Sequence, residues 1–168
     1  MSELRRRAVL VSGALMLLVL PACSGKPAPA PETSATIEKQ VLGQYRKLWA
    51  ETLPAATSAA AAQRKDILSA TLTDPELSRA VQRLAALDRS GRKSYGNDVP
   101  LRQTVVLRGD TAVVTGCLDS SQSGLADAGT GRKLTRGVAT NPVSVTFERG
   151  SDGVWRVTQT QFPGTRRC

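Results

Sequence analysis

Apolar side chains recur with a helical period early in this chain and with a strand period late in it. From Thr36 to Leu53 they occupy Ile37, Val41, Leu42, Tyr45, Leu48 and Trp49, which line one side of a helix. Glu38, Lys39, Gln44, Arg46, Lys47 and Glu51 fall on the other side. Ser34 or Thr36 offers a capping hydroxyl, and Pro54 is expected to end the helix. Residues 55–63, AATSAAAAQ, permit helix but offer little to bury. A short helix is predicted from near Arg64, with Ile67, Leu68 and Leu72 as its apolar positions. Thr73-Asp74-Pro75-Glu76 opens another helix: proline suits the first helical position, and either Asp74 or Thr73 caps it, Thr73 with box spacing to Glu76. Leu77, Val81, Leu84 and Leu87 line its buried side, and Ser90-Gly91 stops it.

The period then changes to two. Leu101 to Arg108 and residues 112–119, AVVTGCLD, flank the turn Arg108-Gly109-Asp110-Thr111 and read as a β-hairpin. Residues 120–132 read as a mobile connection. Val138, Val143, Val145 and Phe147 alternate as a third strand. Gly150 to Gly153 makes another turn, and Val154 to Phe162 gives a last strand with Trp155 and Val157 on one face. Three helices followed by about four antiparallel strands make an α+β layout.

The first 36 residues follow neither period. Arg5, Arg6 and Arg7 precede an uncharged apolar run, residues 8–20, which ends in Leu20-Pro21-Ala22-Cys23. This is the tripartite arrangement of a secretory signal peptide. The run is short for a membrane-spanning helix, which needs about 20 apolar residues. Next comes SGKPAPAPETSAT, residues 24–36, with no large apolar side chain. It cannot bury enough surface to offset its chain entropy and is expected to be an extended tether reaching about 40 Å. Residues 1–22 are therefore read as a leader, 23–35 as the tether with its leading cysteine, and 36–168 as the folded domain.

Composition narrows the chemistry. The chain of 168 residues contains no His, which removes His-based triads and nearly every catalytic zinc site. No acidic cluster has the spacing of a calcium loop, and no metal or cofactor is expected. There is no phosphate loop, and Arg108-Gly109-Asp110 is explained as turn chemistry. The formal charge of +9 falls to +7 once Arg5, Arg6, Arg7 and Glu3 leave with the leader. With 17 Arg against 6 Lys and no run of four basic residues, the excess reads as a solvated surface in preference to a site for an anionic partner such as membrane head groups or wall polymers. An exported chain is not expected to bind nucleic acid.

The Leu20-Pro21-Ala22-Cys23 stretch resembles the lipobox of bacterial lipoproteins: Leu three before the Cys, a small residue just before it, Ser and Gly after it. That resemblance implies diacylglyceryl (palmitate-type) modification of Cys23, cleavage just before it, and anchoring on the outer face of the bacterial cell membrane. Two acyl chains suffice for stable anchoring where one is marginal. Two cysteines then remain, Cys117 and Cys168. An exported chain with two Cys points to a disulfide between them, the alternatives being free thiols or an intermolecular bond. The loop of about 50 residues would add ~4 kcal/mol and pin the C-terminus.

The helices-then-sheet order, the YRKLWAE stretch (Tyr45 to Glu51), the hairpin TVVLRGDTAVVTGCLD and the closing GVWRVTQTQF together resemble the NTF2-like (SnoaL-like) superfamily. The leader, tether and Cys pair look like those of exported lipoproteins of high-GC Gram-positive bacteria. The resemblance implies a curved antiparallel sheet wrapped on the first helix as a cone with a pocket. Some members are isomerases, dehydratases or cyclases; others only bind ligands or form dimers, so a homodimer is among the assemblies implied. No catalytic residue of the family aligns with a motif here, and catalysis is not expected.

Four side chains are the candidate pocket set. Tyr45, Trp49 and Trp155 would either hold a flat apolar ligand or form the core. Asp119, at a strand end, would be either a general base with a raised pKa or a carboxylate accepting backbone N–H bonds. The expected role is a non-catalytic, membrane-anchored module that binds a small apolar ligand or an envelope protein. The alternative is a small isomerase or dehydratase using a pocket carboxylate.

Overall fold

In a computed structural model, residues 32–164 and 168 are described. The leader, Cys23 and most of the tether lie outside them. No helix among the described residues is long and apolar enough to cross a membrane.

Helix α1 (Ser34–Lys47) begins at an N-cap Thr33, whose hydroxyl accepts from the Thr36 N–H at 3.3 Å. The cap is thus one residue before the earlier of the two expected from the sequence. Pro54 does not end this helix. A π-helical turn (Leu48–Thr52) leads directly into α2 (Leu53–Ser58), and the Leu53 N–H bonds to the Leu48 carbonyl five residues back. A proline lacks an N–H and its ring clashes with the carbonyl four residues earlier. The wider turn just before Pro54 accommodates both effects, so the chain continues as helix. The short helix α3 (Arg64–Ser69) starts where the sequence predicts.

In α4 (Glu76–Arg89), Pro75 occupies the N-cap. The Asp74 carboxylate accepts from the Ser78 N–H at 3.1 Å and from its hydroxyl at 2.6 Å. Glu76 closes no capping box; it turns inward and is buried. Ser90 and Gly91, the latter at φ +64°, end the helix as expected.

The strands are β1 (Arg92–Tyr95), β2 (Val99–Arg108), β3 (Thr111–Asp119), β4 (Gly124–Asp127), β5 (Asn141–Arg149) and β6 (Trp155–Gln161). The main sheet is antiparallel, four-stranded and ordered β2-β3-β5-β6. This is the α+β class and strand number read from the sequence. The stretch 120–132 is not a bare connection: β4 lies within it and pairs with β1 in a separate two-stranded sheet. Both strands are four residues long, too short for alternation to betray them. Val138 is no part of β5; it is 57% exposed, and its carbonyl accepts from the Ser120 N–H.

Register aligns the inward-facing rows. Leu107 lies opposite Ala112, Ala112 opposite Phe147, and Phe147 opposite Val157. Val105, Val114 and Val145 form the next row. The inner face of the sheet packs on Val41, Tyr45 and Leu48 of the first helix and on Leu68 and Leu72 in a single core. Residues 71–73 add to the edge at β6, with Thr73 N–H to Val157 O at 2.9 Å and Val157 N–H to Thr71 O at 2.8 Å. Gly116 sits where an added Cβ would lie 2.1 Å from the Arg102 carbonyl oxygen, opposite the irregularity between Pro100 and Gln103 in β2. Only glycine permits that approach. Cys117 and Cys168 are joined by a disulfide with Cα atoms 5.8 Å apart, which fastens the end of the chain to β3.

Candidate functional site

The π turn places Trp49 at the junction of α1, α2 and α4. Tyr45, one turn earlier, meets it edge-on with ring centroids 6.2 Å apart. On its other side Phe162, just beyond β6, meets it edge-on at 6.4 Å. Trp49 therefore links the closed core to a half-exposed aromatic at the surface, in the T-shaped geometry aromatic pairs favour.

Two cavities share Trp49, Leu53 and Arg83 in their walls. One, of ≈ 320 Å³, runs from Leu48 and Leu72 to Phe162 and Thr160. The other, of ≈ 370 Å³, extends past Pro54 and Leu84 to the β1 end around Tyr95 and Asp98. Volumes of this order suit a small molecule. The charged groups of the first cavity are Glu76 and Arg83. The Glu76 side chain is 3% exposed and accepts from Arg83 Nη2 at 2.7 Å; Arg79 Nη1 stands 3.7 Å from its other oxygen. Two guanidinium groups thus stand around one carboxylate, of which only Arg83 is in the cavity wall. Among the described residues, Arg83 makes no other hydrogen bond.

The four candidate pocket residues separate. Trp49 lines both cavities. Tyr45 and Trp155 are fully packed into the core and line neither. Burial pushes the Tyr45 phenol up to about 12, an effect that the neighbouring Trp49 N–H opposes. The two groups do not reach hydrogen-bonding geometry, and both polar atoms lack a partner among the described residues. Asp119 also lines neither cavity. The Ser121 hydroxyl, and then the Ser121 N–H at 2.9 Å, hold its carboxyl below the usual range. That is the opposite shift from the one a general base would need; the side chain closes a turn at the end of β3.

Leu53, Arg83 and Phe162 are not among the site residues the sequence suggests, and Glu76 is suggested only as a capping-box partner. The spacing of Glu76 and Arg83, seven residues and two helical turns, puts them on one face of α4. The capping-box spacing from Thr73 assigns Glu76 a different partner, the start of its own helix. Among the described residues, no group of three or more His, Cys, Asp or Glu side chains stands together as metal ligands.

No protein-family model matches the sequence, and no curated protein matches it. Solved structures do. The intermembrane-space region of the chloroplast protein ARC6 is similar over 79% of this chain and 98% of its own, at 17% identity and a TM-score of 0.55. The Kfla4162 protein of Kribbella flavida is similar over 80% and 94%, at 14% identity and a TM-score of 0.55. An NTF2-like protein of Cytophaga hutchinsonii aligns over 73% and 93%, at 15% identity and a TM-score of 0.47. At such identities the first two show a shared fold.

Proposed function

We propose that this protein is exported, carries lipid on Cys23, and acts as a non-catalytic NTF2-like binding module on the outer face of a bacterial membrane. Its ligand is an apolar molecule with an anionic head. The reading rests chiefly on the ≈ 320 Å³ cavity, where Leu48, Leu72, Trp49 and Phe162 offer apolar contact and Arg83 offers unused N–H donors. An apolar body gains by leaving water, and a charge-assisted hydrogen bond at Arg83 fixes its orientation. A cavity carboxylate also supports the second reading, isomerase or dehydratase chemistry. That carboxylate would be Glu76, which is committed to Arg83 and Arg79, and not Asp119.

Purified full-length protein tests both parts. Mass spectrometry of the N-terminal peptide reads acylation of Cys23; an unmodified, uncleaved N-terminus would refute anchoring. Titration with anilinonaphthalene sulfonate, a ring system bearing an anionic head, probes the cavity by fluorescence. Arg83→Gln should weaken binding about tenfold. Trp49→Ala should weaken it further, while Asp119→Asn should leave it unchanged. Equal binding by all three variants would exclude this cavity.

A further inference from the structure

The segment 132–138, RKLTRGV, is long, irregular and almost wholly exposed. It interleaves three cations, Arg132, Lys133 and Arg136, with Leu134 (39% exposed) and Val138 (57% exposed). No acidic residue occurs between Asp127 and Glu148. Among the described residues none of the three cations forms a salt bridge. The nearest carboxylates, Asp127 and Asp119, are engaged by donors of their own turns, Thr130 and Ser121.

The backbone of the segment is nonetheless held firmly. Leu134 N–H bonds to Leu125 O at 2.7 Å, and Gly137 N–H to Ser123 O at 2.8 Å. Val138 O accepts from Ser120 N–H at 2.9 Å, and Thr135 O from the Tyr95 hydroxyl at 2.8 Å. Its backbone is therefore fixed, and its cations stay exposed without a carboxylate partner: Lys133 Nζ lies 4.7 Å from the centroid of the Tyr95 ring, and Arg136 Nε donates to the Ser121 carbonyl at 2.7 Å. Binding through such a segment needs little ordering of the chain.

We propose that residues 132–138 form a second, peripheral membrane contact that docks on an anionic lipid bilayer. Charge complementarity selects the partner: exposed cations whose charge no carboxylate neutralises gain at a negative leaflet, and exposed aliphatics gain at the boundary of headgroups and acyl chains. A soluble polyanion would use the cations but gain nothing from Leu134 and Val138. The inference draws on the anchoring reading in one respect only, that a short tether keeps the domain near a bilayer.

Lysine footprinting on the full-length protein, as isolated, tests this. Acetylation rates are compared on vesicles of phosphatidylcholine alone and with phosphatidylglycerol added. Lys133 should be acetylated about tenfold more slowly on the anionic vesicles, and Lys65, exposed on α3, should not change. Leu134→Ser should remove much of that protection, and Arg132→Gln with Arg136→Gln nearly all of it. Equal rates at Lys133 on both vesicles would overturn the proposal, as would equal slowing at Lys65. Unchanged protection in Leu134→Ser, reproduced by soluble polyphosphate, would also overturn it and indicate a soluble polyanion. If Cys23 carries no acyl mass, the same rates are read on chain simply mixed with vesicles, so failure of anchoring and failure of docking remain separate results.

Discussion

The buried Glu76 carboxylate, in the wall of the ≈ 320 Å³ cavity, meets at 2.7 Å, across two turns of α4, the half-exposed Arg83 guanidinium that lines both cavities. The pair is asymmetric. Arg83 can turn into water if its partner is lost, whereas Glu76 cannot. Arg83→Ala should therefore destabilise by about 1–3 kcal/mol, the cost of leaving a buried polar group unmet. Adding Glu76→Gln to that variant should recover part of the loss. Urea midpoints at neutral pH read both, and equal midpoints for Arg83→Ala and the parent would show the pair to be energetically idle.

The Cys117–Cys168 bond closes a loop spanning 51 residues of sequence. In the chain-entropy picture that constraint is worth about 4 kcal/mol through the unfolded state. Reduction, or Cys117→Ser with Cys168→Ser, should lower stability by roughly that amount and loosen the chain end first. Denaturant titration with and without reductant reads the first effect, and amide exchange near the C-terminus the second.

Tyr45 is fully buried, and its hydroxyl has no partner among the described residues. Tyr45→Phe should therefore be neutral or slightly stabilising, within about 1 kcal/mol, whereas Phe147→Ala should cost about 3–5 kcal/mol. The phenol pKa is raised from 10.0 to about 12 in the folded protein. The neutral form is favoured by folding, so that contribution is complete below pH 10 and is lost as pH rises toward 12. Tyr45→Phe should flatten the alkaline fall in stability, which urea midpoints measured across that range would reveal.

Acid should act through a different group. Asp152 receives a bidentate contact from Arg156, with a further bond from the Val154 N–H, and its pKa drops from 3.8 to about 2. A depressed pKa stabilises the fold above the unfolded value and ceases to do so as pH falls through the folded one. Thermal midpoints should therefore fall between about pH 4 and pH 2, and Asp152→Asn should show a shallower fall. An identical acid profile in that variant would dismiss the pair as a contributor.

Hydrophobic period alone, set by neighbours along the chain, determined much of this protein. It gave the first helical face through Trp49, the short helix at Arg64, α4, the hairpin of β2 and β3, and the order of helices before strands. Composition removed His-dependent chemistry. What period could not supply is the outcome of competition between distant elements. The π turn carries the first helix past Pro54 because the apolar residues on both sides of the proline find partners. Glu76 turns inward because two arginines of its own helix meet it there. Asp119 closes a turn because Ser121 folds back upon it. Trp49 lines a cavity, while Tyr45 and Trp155 do not, because α1, α2, α4 and the end of β6 leave a gap beside the indole and close on the other two rings. A cavity is the gap that packed elements fail to fill, and only the assembled chain decides where that gap lies.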